Sequence, residues 1–266
     1  MIVYGAHAAF EALRAGRATR LSLVGRPGGA PAPNRRTADL VAEAKRAGVP
    51  VDTITEDQAS RLSSGRPHQG VIAEVQAPED WTPADLVAAA QAPALLVVLD
   101  GIEDPHNLGA ILRTADAAGV DGVIRQARRA APLDGAVAKT SAGAVAHLKI
   151  ATVVNVSRAL EEIKDAGVWT VGLAADGGAA YDAIDLTVPT AIVVGAEGTG
   201  LRRLVREACD HVAAIPMAGH VSSLNVSVAT AIVLFEALRQ RRPPGSKSGS
   251  KPGSKPGSQP RSQSGS

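Results

Sequence analysis

The chain of 266 residues contains a single cysteine, Cys209. One thiol supports neither a disulfide framework nor a cysteine-based zinc site. Aromatic residues are equally sparse at 2%: Tyr4, Phe10, Trp81, Trp169, Tyr181 and Phe235. That scarcity argues against a nucleic-acid binder that stacks bases on exposed rings. Long apolar runs are missing, since Ala94–Leu99 and Ala191–Val194 fall far below the ~20 residues that cross a bilayer. The start, MIVYGAHAAF, has no basic n-region and no long apolar h-region, so the mature sequence of a cytoplasmic protein is expected. Familiar nucleotide and hydrolase signatures are absent too. No G-x-x-x-x-G-K-[ST] occurs, Gly195–Gly200 reads G-x-x-G-x-G and not G-x-G-x-x-G, and neither H-E-x-x-H nor G-x-S-x-G is found. The histidines are scattered, so no metal is expected.

What the chain does have is Ala, Val, Leu and Ile, which dominate a hydrophobic content of 45%. This composition suits buried parallel strands under closely packed helices. The net charge of +2 is uneven. Residues 1–79 hold ten Lys/Arg and eight Asp/Glu, residues 80–242 fourteen and eighteen, and residues 243–266 four bases and no acid. A polyanionic partner must therefore be gripped locally. The basic Ser/Gly/Pro/Lys tail, 243–266, has no apolar residue and is expected to be disordered. In the first segment Arg14, Arg17, Arg20, Arg26, Arg35, Arg36, Arg61 and Arg66 are candidate phosphate contacts.

Hydrophobic periodicity divides the chain. Strands are expected at 1–4, 20–25, 51–55 and 70–75, with helices at 7–15, 37–47 and 56–63. Residues 1–77 thus read as a small α/β domain and 78–93 as a linker with a short helix at 83–90. Residues 94–242 alternate stronger strands (95–99, 122–125, 148–153, 170–174, 191–194, 211–215) with helices at 107–118, 137–142, 157–166, 201–208 and 224–241. Strands apolar on both faces imply a mostly parallel sheet covered on both sides. The last helix is apolar over a wider arc than one core requires, which points to a second chain.

Ligands of open α/β sheets bind at the carboxyl ends of strands. Three loops fall there: 100–113, 195–201 and 215–227. On pattern alone, the glycines of 195–201 serve a ligand or simply turn the chain. Glu197 is a functional carboxylate or a solvated one. Ser223 or Asn225 is an N-cap of the last helix. Arg113 is an anion clamp or a solvated position on an apolar helix.

Together the loops resemble the three motifs of the SpoU-type RNA 2′-O-ribose methyltransferases of the SPOUT superfamily. The first is Asn107-Leu-Gly-x-x-x-Arg113 and the second Gly195-Ala-Glu-Gly-x-Gly-Leu201. The third is Ile215-Pro-Met-x-Gly-x-x-Ser-Ser-Leu-Asn-Val-Ser-Val-Ala229. Ile2-Val-Tyr-Gly-x-His7 and His68-Gln-Gly70 resemble the substrate-binding domain of the family's 23S rRNA guanosine-2′-O-methyltransferase branch. The resemblance covers about residues 1–242.

It implies an L30e-like α/β domain followed by a SPOUT α/β domain with a C-terminal trefoil knot, paired as a homodimer. It also implies S-adenosylmethionine as methyl donor, held by Gly195, Ile215 and Leu224. Arg113, Glu197 and Asn225 are the implied catalytic set, with Asn107, Arg113 and Ser223 toward the RNA. The implied substrate is 23S rRNA, free or in a pre-ribosomal particle. A guanidinium is a poor base, so Arg113 is expected on an RNA phosphate, with Glu197 or that phosphate taking the proton. A tRNA methyltransferase of the same superfamily and a non-catalytic ribosome-assembly factor are the rivals. The separate first domain disfavours the one and the intact motifs the other.

Overall fold

The computed structural model describes residues 1–25, 35–76 and 80–242. The 243–266 tail, the loop containing Arg26, and the side chains of Arg35 and Arg36 lie outside what is described.

The first unit runs β1 (Ile2–Tyr4), α1 (Ala6–Arg14), β2 (Ala18–Val24), α2 (Arg35–Arg46), β3 (Val51–Ile54), α3 (Glu56–Leu62) and β4 (Val71–Val75). Its four strands take the order β1-β4-β2-β3. The β2–β3 pair is parallel, and β4 is antiparallel to both of its neighbours. Local chemistry sets the helices. Ala8, Ala9, Ala12 and Leu13 give α1 one buried stripe. Thr55 and Gln58 start α3 with a reciprocal capping box.

Next comes α4 (Pro83–Ala88), begun by a Thr82–Asp85 capping box with Pro83 at the first helical position. This stretch, expected as a linker, packs into the second unit. Leu86 is fully buried with Leu96, Ile124 and Leu160, and Trp81 bridges to Ala151. A side chain at Gly122 would run into Leu86.

The second unit holds β5 (Leu95–Asp100), α5 (Pro105–Ala117), β6 (Gly122–Gln126), α6 (Gly135–Thr140), β7 (Ile150–Val153), α7 (Val156–Asp165), β8 (Trp169–Leu173), β9 (Ala179–Ala180), β10 (Thr190–Gly195), α8 (Arg203–Ala208), β11 (His211–Ala214) and α9 (Val226–Arg241). Seven strands in the order β7-β6-β5-β10-β8-β11-β9 form a wholly parallel sheet. Alternation along each strand feeds two cores. Leu95, Val97, Leu99, Ile192 and Val194 join α5 and α9 on one face. Leu96, Val98, Ala191 and Val193 join α4, α7 and α8 on the other.

The first core continues into the first unit, where Val3, Ala8 and Ala12 share it with Val137 and Ala138. Polar ties reinforce the contact. Arg66 pairs with Asp134 at 2.8 Å and donates to the Tyr4 hydroxyl at 3.2 Å. Arg17 donates to the carbonyls of Val145 and Ala146, and His147 meets Glu11 at 3.0 Å. Arg20 is held by Asp52 at 2.5 Å. Expected as RNA contacts, Arg17 and Arg66 thus join the two units and Arg20 braces the small sheet. Arg14 and Arg61 stay exposed, Arg14 lying over the Phe10 ring.

Two further expectations shift. Helix α5 begins earlier than the apolar pattern suggested, because Asp104 caps it through the His106 and Asn107 amides and Pro105 suits its first position. Exposed aromatic surface also exists. Trp169 is 50% exposed and stacks on His211 at 5.6 Å, but at the amino end of β8, opposite the strand ends discussed next.

Candidate active site

The carboxyl ends of β8, β10 and β11 and the start of α9 surround one cavity of about 520 Å³. Its size lies within the ~300–1,000 Å³ typical of small-ligand sites. Gly195, Ile215, Ser223 and Leu224 line it, as do Glu197 and Asn225. Glycines, alanines and other small or apolar residues supply most of its walls.

The glycine loop explains itself locally. Ala196 and Gly200 form an antiparallel bridge, so the loop folds back on β10. A Cβ at Gly195 would collide with the backbone of Gly200 and Leu201. Gly198 and Gly200 take φ of 80° and 66°, in the left-handed region that favours glycine. The closing of its own loop is therefore enough to require glycine at 195. Asp100, fully buried at the end of β5, accepts from the Arg202 backbone at 3.0 Å and from its Nε at 2.7 Å, which fixes the far end of the loop.

A directed chain of hydrogen bonds links the three loops. Ser227 donates to Asn225 Oδ1 from its backbone at 2.9 Å and its hydroxyl at 2.6 Å. Asn225 Nδ2 donates to Asn107 Oδ1 at 2.9 Å. Asn107 Nδ2 donates to Glu197 Oε2 at 2.8 Å. Every donor points toward the carboxylate, so each amide has one orientation that satisfies its neighbours. Asn225 both caps α9 and carries the chain, so the two readings open at sequence level are one arrangement. Asn107 is buried, whereas Glu197 is exposed at the cavity.

Arg113 is not brought to this group. It lies six residues beyond Asn107, roughly 9 Å further along α5, exposed and with no hydrogen bond or ion pair among the described residues. Residues missed at sequence level also line the cavity: Ala174, Ala175 and Asp176 after β8, and Met217. Asp176 is held at the rim by Arg206 at 2.7 Å, which keeps its carboxyl below the usual range. The position of 174–176 after an apolar strand was the available signal. Cys209 is no nucleophile, because burial and the Asp210 charge push its thiol up to about 12. Among the described residues no His, Cys, Asp or Glu cluster is placed to hold a metal, and no helix is long and apolar enough to cross a membrane.

A parallel sheet with a cavity at its carboxyl edge, lined by glycine and small apolar residues and flanked by a carboxylate–amide chain, is the arrangement of an α/β protein that takes a small ligand. The sequence model of the SpoU rRNA methylase family matches residues 94–235, and that of the RNA 2′-O ribose methyltransferase substrate-binding domain matches residues 2–81. The chain belongs to the SpoU rRNA methylase family. It is 46% identical over 211 residues to a 23S rRNA (guanosine-2′-O-)-methyltransferase RlmB of Xylella fastidiosa, covering 78% of this chain and 85% of that one. The RlmB of Pseudomonas syringae is 51% identical over 177 residues, 65% of this chain and 71% of its own. The crystal structure of the SpoU methyltransferase AviRb from Streptomyces viridochromogenes with the cofactor AdoMet superposes with a TM-score of 0.75 at 29% identity, covering 91% of this chain and 90% of that one.

Proposed function

We propose that this chain transfers a methyl group from S-adenosylmethionine to the ribose 2′-hydroxyl of a guanosine in 23S rRNA. The observation that carries this reading is the Asn225–Asn107–Glu197 chain opening on the donor cavity. The cavity fits such a donor by volume and is lined by Gly195, Ile215 and Leu224. The bound donor supplies a methyl group already activated by its sulfonium.

What the chain's own residues must provide is a deprotonated, aligned hydroxyl. Glu197 accepts that proton. Asn107 holds one carboxylate oxygen, Oε2, which leaves Oε1 for the substrate. Asn225 ties this alignment to the start of α9. Ser223, at the cavity mouth, meets the ribose. Arg113, outside the cavity of its own chain, binds an RNA phosphate on the approach and takes no part in proton transfer.

Residues 1–77 form the RNA-capturing domain, and the C-terminal part of the 94–242 domain forms the trefoil knot. The working unit is a homodimer. Val228, Ile232 and Phe235 recur at helical spacing on α9, and Val228 and Phe235 are each 47% exposed. Apolar side chains so placed are stabilised by a second copy. Free 23S rRNA or a pre-ribosomal particle in the cytoplasm is the substrate.

The test is incubation of purified protein with S-adenosylmethionine and either a 23S rRNA transcript or bulk tRNA. Labelling of the rRNA is expected, and labelling of tRNA alone overturns the reading.

A further inference from the structure

The carboxyl end of β6 carries Arg125, Arg128 and Arg129 within five residues. Arg125 sits between β5 and β7, opposite Leu99 and Thr152, and is only 6% exposed. Its one hydrogen bond, from Nε to the Gln126 carbonyl, is 3.5 Å long, at the weak limit for such a bond. Burial lowers its pKa, yet a guanidinium stays charged. Arg128 and Arg129 are exposed. None of the three forms an ion pair among the described residues.

Three of the neighbouring carboxylates are engaged elsewhere. Asp100 takes Arg202, Asp134 takes Arg66, and Asp104 accepts the first amides of α5. Glu103 stays exposed and unpaired with them.

These arginines flank the reaction site. Ala131 N donates to Ile102 O at 2.9 Å, which ties 128–131 to the loop leading to Asn107. A Cβ on Gly101 would lie 3.9 Å from the Arg129 carbonyl and 3.7 Å from Ala196 Cβ, next to Glu197. Arg129 takes φ of 53°, uncommon for a residue with a side chain, so the chain turns sharply here.

We propose that Arg125, Arg128 and Arg129 form a phosphate-binding edge that holds the RNA backbone beside the target nucleotide. Residues 80–242 carry more acids than bases, so RNA is held there only where cations gather without carboxylates. A phosphate offers a guanidinium two acceptor oxygens, a match that lysine lacks. The proposal rests on RNA being the substrate.

The test compares the wild type with the Arg128→Ala/Arg129→Ala double variant, both side chains being exposed. The probe is an unmodified 23S rRNA transcript titrated at several salt concentrations. RNA affinity should fall on the order of tenfold, and the log–log salt slope should flatten by about 1.5, the release expected for two phosphate contacts. The KM for RNA should rise more than kcat falls, with S-adenosylmethionine affinity unchanged by calorimetry. An Arg128→Lys/Arg129→Lys variant should keep most of the salt slope, which a merely structural role would not require. Wild-type affinity and slope in the alanine variant overturn the proposal. Should the wild type bind the transcript without methylating it, the proposed substrate fails, and the same binding comparison still decides the edge.

Discussion

In the first unit Arg17 reaches the carbonyls of Val145 and Ala146, Arg20 is held by Asp52, and Arg66 spans Tyr4 and Asp134. At the end of β6, Arg128 and Arg129 are exposed and form no ion pair among the described residues. The first region has the favourable charge count and the second does not. Count and availability are different quantities. An arginine already bonded to protein has little left for phosphate, so a unit with more acids than bases can still present free cations beside its site. The contrast also assigns work: several arginines of the first unit fix where it sits, and those beside the site are left to grip.

Several substitutions break or sharpen this division. The largest effect belongs to the site, which lies wholly in the second unit. Glu197→Gln should slow methyl transfer by about 10²- to 10⁴-fold, as removal of a general base does. Equilibrium binding of S-adenosylmethionine should stay within about threefold of wild type, since Glu197 is exposed and most of the cavity lining is glycine and small apolar residues; a loss mainly in donor affinity would reassign Glu197.

The contact between units comes next. A Cβ at Gly135 would strike the Tyr4 ring, so Gly135→Ala should cost about 1–3 kcal/mol in urea unfolding by overpacking. Arg66→Ala should shift the urea midpoint far less than Gly135→Ala, because that pair is half exposed and screened. Its RNA affinity should match wild type, the reverse of the Arg128/Arg129 pattern.

The smallest effect is one of pH. Arg239 holds the Glu236 carboxyl down to about 2. A depressed carboxylate adds stability above its ordinary pKa of 4.5 that is lost as pH falls toward about 2. Melting of Glu236→Gln should therefore depend less on pH than the wild type across that window.

Much of the fold was legible because the strands β5 and β10 are continuous apolar runs and the helices end in glycine, as α5 does at Gly119. The helix start at Asp104 was missed because the apolar repeat begins later than the cap. The two-residue strand β9 has no period to detect. Segment 78–93 read as a linker holding a short helix at 83–90; the helix is there as Pro83–Ala88, but the burial of its Leu86 against the second unit was not legible. At the site, the motifs marked Asn107, Glu197 and Asn225 singly. Their donor direction was invisible, because it depends on Ser227 closing on Asn225 across a fold that joins residues 118 apart. Nor can a sequence separate a bonded arginine from a free one, and that is why Arg17 and Arg66 were expected on RNA.

The most direct measurement of the account is mass-spectrometric mapping of 2′-O-methylated nucleotides in a 23S rRNA transcript after incubation with the wild type and with Glu197→Gln. One 2′-O-methylguanosine formed by the wild type, and none by a donor-binding Glu197→Gln protein in the same time, is the predicted result. Methylation at the wild-type rate by Glu197→Gln, or a wild type that binds S-adenosylmethionine and modifies no guanosine of that RNA, would contradict it.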